Sequence, residues 1–115
     1  MINILILKKN QNIITIEATG HSGYAEASSD IVCSAVSTLM QTLANGLTEV
    51  VNISPKVIID ESIPHLFLSI ADLTGQDLTA EKEQYAQVLL KTTALSLKDI
   101  ADSYSKYIKI KEKQL

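Results

Sequence analysis

The chain opens on an apolar-rich run, residues 2–7. A second run, residues 13–18, follows Lys8-Lys9-Asn10-Gln11-Asn12, and in it Ile14, Ile16 and Ala18 alternate with Thr15, Glu17 and Thr19. Two β-rich runs across a polar gap predict a β-hairpin. Residues 20–29, Gly-His-Ser-Gly-Tyr-Ala-Glu-Ala-Ser-Ser, show no period and predict a loop. From about Asp30 the apolar spacing becomes four and three: Val32, Val36, Leu39, Leu43, Gly46 and Val50 draw one stripe of a helix. Ser28, Ser29 and Asp30 are candidate N-caps, and Pro55 stops any continuation near Asn52.

Val57–Asp60 and His65–Ala71 read as strands around the turn Glu61-Ser62-Ile63-Pro64, a second hairpin. Thr79 caps a long second helix that carries Glu81 and Glu83 in its first turn and the stripe Ala86, Leu90, Thr93, Leu97, Ile100 and Tyr104. Tyr107–Lys111 alternates as a short last strand; its lysines, with Lys106 and Lys113, suit the solvated side of a sheet edge. The order β-β-α-β-β-α-β predicts an α+β two-layer sandwich, a mixed sheet with two helices on one face.

At 115 residues the chain is the size of one domain, spanning 1–115. A net charge of −3 offers no field to hold a polyanion, which argues against direct nucleic-acid binding and favours a protein or small-molecule partner. The apolar start precedes Lys8 and Lys9, reversing the order of a secretory signal, and no apolar run approaches the roughly 20 residues that span a bilayer. A cytoplasmic protein without membrane association is expected. Cys33 is the only cysteine, so it forms no internal disulfide and no Cys-x-x-Cys pair. Its thiol is either inert and buried or reactive.

Candidate chemistry gathers in Gly20-His21-Ser22-Gly23 and Asp30-Ile31-Val32-Cys33-Ser34-Ala35-Val36-Ser37. The pattern places Cys33 in the first turn of the helix and His21 in the loop leading into it. A free thiol ionises near pH ~8.5, so a catalytic cysteine needs its thiolate favoured. A helix N-terminus contributes about 0.3 to 1 kcal/mol, against the roughly 2 kcal/mol that half-ionisation at neutral pH requires. A cationic or proton-accepting neighbour must supply the rest, and His21 is the candidate. Asp30 and Ser37, one turn before and after Cys33, share its helix face. Asp30 could orient the imidazole, and unpaired first-turn amides, that of Cys33 included, could hold an oxyanion.

Gly20 and Gly23 would let a peptide main chain approach, and Tyr24 could pack on it. Each residue also has a plainer reading: Cys33 as a small core hydrophobe, Asp30 as a simple cap, Ser37 as a helix-surface serine, Tyr24 as packing, His65 as a structural or exposed strand residue. A redox thiol or a metal site from His21, Cys33 and Asp30 is a further alternative, weakened by having three ligands where closed zinc sites use four.

At these residues the chain resembles the Prp family of bacterial ribosomal-processing cysteine proteases. The likeness rests on Gly20-His21, Gly23-Tyr24-Ala25 and the run Asp30–Ser37, continues through Leu47, and extends to the element order of the whole chain. It implies a cysteine endopeptidase that trims a short N-terminal extension from a large-subunit ribosomal protein before ribosome assembly, a homodimer and no cofactor. The family histidine falls on His21, the cysteine on Cys33, and the acidic and hydroxyl positions on Asp30 and Ser37. Ser22 stands where alanine commonly follows the histidine. Ser28 stands where glycine is common, removing a potential φ > 0 position. A non-catalytic ribosome-assembly or peptide-binding module of the same fold is the competing expectation.

Overall fold

The computed structural model describes residues 1–20, 27–60 and 64–115, without the side chains of residues 27–30. Strands β1 (Ile2–Lys9) and β2 (Asn12–Thr19) form the expected hairpin. Its turn is Asn10-Gln11, both at positive φ (52° and 73°), the backbone signature of a type I′ turn, whose twist matches that of the flanking strands. The register shifts between Leu7 and Lys8, so that Leu7 opposes Thr15 but Lys8 opposes Ile13, and Ile14 is left as the extra residue of a bulge. The bulge resets the alternation. Ile13, Ile16 and Ala18 are buried while Ile14 is only half-buried, a departure from the strict period of two. Gln87 secures the irregular point: its Nε2 donates to the Ile13 carbonyl (2.9 Å) and its Oε1 accepts the Ile13 N–H (2.8 Å), as a neighbouring strand would.

Helix α1 spans Ala27–Asn45, so it starts before the expected Asp30. Ser28, Ser29 and Asp30 therefore have helical backbones and are not N-caps. After Asn45 the helix widens into a π-helical turn, Gly46–Val50, in which the Val51 N–H donates to the Gly46 carbonyl (2.9 Å). Asn52 then takes a left-handed conformation (φ 61°) and the Ile53 N–H closes back on the Leu47 carbonyl (3.0 Å). Asn52 thus ends the helix before Pro55 can. The buried stripe runs Val32, Val36, Met40, Leu43, Leu47 and Val51. Val50, expected inside, is 76% exposed, because the wider turn delays the inward position by one residue. Gly46 lies outside the fully buried stripe, and a Cβ there would meet Leu89 Cδ1 at 3.0 Å. It is a close-approach point between the helices.

β3 (Lys56–Asp60) and β4 (His65–Ser69) pair antiparallel; residues 61–63 of the predicted turn lie outside the described residues. Thr79 caps α2 (Ala80–Ser103) as expected, its hydroxyl accepting the Lys82 N–H (3.1 Å). The α2 stripe Ala86, Leu90, Thr93, Leu97 is buried, and Ile100 and Tyr104 are partly so. β5 (Ile108–Gln114) runs longer than expected because it pairs in parallel with nearly all of β1. The sheet has five strands in the order β3-β4-β2-β1-β5, antiparallel except for β1–β5. Ile2, Ile4, Ile6, Ile16, Ala18 and Leu68 join the helix stripes in one core, leaving the alternate sheet face without helices. The expected α+β sandwich with a mixed sheet is the observed one.

One ion cluster ties three elements at the rim. Glu112 of β5 meets Lys98 of α2 (2.5 Å) and Lys8 of β1 (3.3 Å). The Lys98 hydrogen bond holds the Glu112 carboxyl below its ordinary value, with Lys8 adding to it and partial burial opposing. A carboxyl with a lowered folded pKa contributes stability that is complete above its unfolded value and fades as pH falls through the folded one. Because these groups are partly exposed, solvent limits the contribution to under about 1 kcal/mol. Glu112→Gln is therefore expected to lower the urea midpoint slightly at neutral pH, and the difference from wild type should shrink as the pH is taken below 4.5. A difference that grows on acidification would contradict this account.

Candidate active site

The inward rotation of α1 decides where its chemistry goes. Val32 and Val36 point into the core, and Cys33 and Ser37, each one residue further round, emerge half-buried on the helix flank. There they line a cavity of about 240 Å³ with Ile2, Ala18, Val36 and Leu66 as its apolar lining and Gly20, Asp60, Pro64 and His65 around them. Cys33 is thus neither a fully buried core residue nor a fully exposed one.

Several expectations change. Because α1 begins at Ala27, Cys33 is its seventh residue, in the second turn rather than the first. Its amide lies inside the helical ladder and is not one of the unpaired donors, so the predicted oxyanion site at that amide is withdrawn. The helix dipole, which acts over the first turn, gives correspondingly little help to a thiolate. Ser28 is helical, so the missing glycine costs no left-handed conformation at that position. Gly20 does occupy such a conformation (φ 84°), and a Cβ there would lie 2.5 Å from the Met1 carbonyl oxygen. The Gly20 N–H donates to the Pro64 carbonyl (3.1 Å). Gly20 is required by the backbone path, and it also borders the cavity. His21, Gly23 and Tyr24 lie outside the described residues, as does the side chain of Asp30.

His65 borders the cavity but its imidazole is engaged elsewhere: Nε2 lies 2.7 Å from Glu17 Oε2, and the ring tilts against Phe67. Glu17 and His65 alternate with the inward Ala18 and Leu66, so their side chains pair on the sheet face away from the helices. Among the described residues no three His, Cys, Asp or Glu side chains converge as a metal site. Sequence reading missed Ile2, Ala18, Val36, Asp60, Pro64, His65 and Leu66 as cavity residues. The small side chain of Ala18 in an isoleucine-rich strand was the one available signal, since it leaves room above the sheet.

With this geometry established, the family comparison is decisive. The family model described as cysteine protease Prp matches residues 1–109. The chain belongs to the cysteine protease Prp family. The ribosomal processing cysteine protease Prp of Bacillus subtilis (strain 168) is 25% identical over 101 residues, covering 88% of this chain and 87% of its own. A Streptococcus mutans crystal structure superposes with a TM-score of 0.86 at 24% identity, over 100% of this chain and 96% of that one. The essential ribosomal processing protease Prp from S. aureus, in complex with a substrate peptide, gives 0.80 at 21% identity, over 98% and 100%. The same S. aureus protease with a covalently linked product peptide gives 0.79 at 23%, again over 98% and 100%. These structures share the fold of this Prp-family chain.

The half-exposed thiol has a direct consequence. Iodoacetamide is expected to add one carbamidomethyl group to the native protein at Cys33, read by intact mass. Modification only after denaturant is added would show a thiol closed off from solvent.

Proposed function

We propose that this Prp-family protein is a cysteine endopeptidase that removes a short N-terminal extension from a large-subunit ribosomal protein, with Cys33 as nucleophile and His21 as general base. The observation that carries the reading is the position of Cys33, the single cysteine of a cysteine-protease chain, on the wall of an apolar cavity large enough for a side chain of a bound peptide. His21 takes the thiol proton of Cys33, and the resulting thiolate sulfur attacks the scissile carbonyl carbon. The proton then passes to the leaving amine, which departs as the shortened protein, and the extension stays on Cys33 as a thioester. Water, deprotonated by His21, hydrolyses the thioester and restores the thiol.

His65 supports this assignment by its engagement with Glu17, which leaves His21 as the other histidine of the chain. Since the helix dipole acts weakly on a second-turn residue, His21 carries most of the task of activating the thiol. Asp30, one turn before Cys33, is the proposed orienting group, and Ser37, one turn after, supports the thiol from the cavity wall. Gly20, Gly23 and Tyr24 are the proposed peptide-binding positions. The protein works as a homodimer in the cytoplasm, where its ribosomal substrate is made.

The test is incubation with the ribosomal protein bearing its extension, followed by intact mass. Cys33→Ala should keep the wild-type far-UV spectrum and lose cleavage altogether. His21→Ala should lose about 10²- to 10⁴-fold in rate, the usual worth of a general base. Full cleavage by folded Cys33→Ala would overturn the nucleophile, and peptide binding without cleavage by wild type would favour a non-catalytic module.

A further inference from the structure

The sheet has two edges, and they are treated differently. On β5 the exposed Lys109, Lys111 and Lys113 alternate along the edge, the usual protection against unwanted strand pairing. On β3 the charges stand only at the ends, Lys56 and Asp60, and between them Val57, Ile58 and Ile59 are 38%, 36% and 48% exposed. An unprotected apolar edge is a template for another strand.

The register identifies which of its backbone groups are free. The Ile70 N–H donates to the Ile14 carbonyl (2.8 Å) and the Gly20 N–H to the Pro64 carbonyl (3.1 Å). In the antiparallel β2–β4 ladder these bonds assign positions 64, 66, 68 and 70 to β2. His65, Phe67 and Ser69 therefore turn their backbone groups to β3, where their partners are Asp60, Ile58 and Lys56. Val57 and Ile59 are left with N–H and C=O directed away from the sheet. Their side chains alternate with Ile58 and stand beside Leu68 and Leu66 on the helix side, where with Met40 of α1 they line a small groove. Leu66 is shared between this groove and the Cys33 cavity, and β3 ends at Asp60 on the same cavity. The free edge therefore ends at the cavity that Cys33 lines.

We infer that an extended substrate polypeptide adds to the free edge of β3 as a sixth strand, its main chain bonded to Val57 and Ile59 and its alternate side chains over the groove between β3 and α1. The inference rests on the proteolytic reading of the Cys33 cavity and adds the device that holds the peptide in register with it. Main-chain pairing fixes the path of the peptide whatever its sequence, and the apolar groove selects side chains at every second position.

Proline at an outward-facing edge position removes the free N–H without breaking the ladder to the inner strand. Val57→Pro and Ile59→Pro should each lower kcat/KM about tenfold, mostly through KM, on a synthetic peptide spanning the extension and its junction. The far-UV spectrum and the iodoacetamide rate at Cys33 should stay at wild-type values. Should a proline variant unfold, wild-type protein answers the same question with peptides N-methylated at one residue at a time: cleavage should fall at every second position and persist between. Wild-type cleavage that is indifferent to the prolines and to N-methylation would overturn the strand-addition inference alone. No cleavage of any unmodified peptide by wild type would overturn the proteolytic reading with it. A dimer that becomes monomeric in Ile59→Pro by sedimentation, with peptide KM unchanged, would assign the edge to a second copy of the chain and also overturn the inference.

Discussion

Everything at the candidate site depends on the burial of Val32 and Val36 against the sheet. Successive helix residues are turned by about 100°, so once these two valines are inside, Cys33 and Ser37 have one place to go: the flank of α1 that overlooks β4 and the end of β3. Neither residue could move to solvent or to the core without rotating the whole stripe through Met40, Leu43 and Leu47. The cost of such a rotation is the exposure of several fully buried aliphatic side chains, each worth about 1.5–3 kcal/mol. A chemically delicate thiol is thus positioned by ordinary core packing, with no hydrogen bond needed to fix its direction.

The same economy extends to the strands. Inward residues of β2 and β4 build the cavity lining through Ala18 and Leu66, while their outward neighbours Glu17 and His65 pair with each other on the opposite face. The one-residue alternation separates the cavity side of the sheet from the side on which the His65 imidazole pairs with Glu17. At the sheet edges, lysines on β5 and aliphatics on β3 separate a closed boundary from one suited to receive another strand. The cavity and the groove adjoin at Leu66, and the β3 edge ends at Asp60 on the cavity that Cys33 lines.

Much of this was legible in the amino-acid sequence. The hairpins, the Thr79 cap and the α2 stripe follow from local periodicity and capping chemistry, and the element order from their succession. The misplaced details come from longer-range causes. The bulge that turns Ile13 inward is held by Gln87, distant in sequence, and the π-helical turn that exposes Val50 appears in no spacing rule. The early start of α1 has a larger effect, because it moves Cys33 out of the first turn, where the helix end acts most strongly. Cys33 and Ser37 stood out in the sequence by type and spacing. The cavity around them did not, since Ala18, Asp60, Pro64 and Leu66 are brought together only by the β2–β4–β3 register.

The central claim is that Cys33 forms and breaks a covalent bond with the substrate. Acid-quenching the reaction of wild-type protein with the extended ribosomal protein, and mapping the trapped species by mass, tests it most directly. The account predicts a protein heavier by the mass of the extension less one water, the adduct located on the peptide containing Cys33 and released by hydroxylamine, as a thioester would be. Turnover with Cys33 unmodified at every quench time, and an acyl group found on another residue, would contradict it.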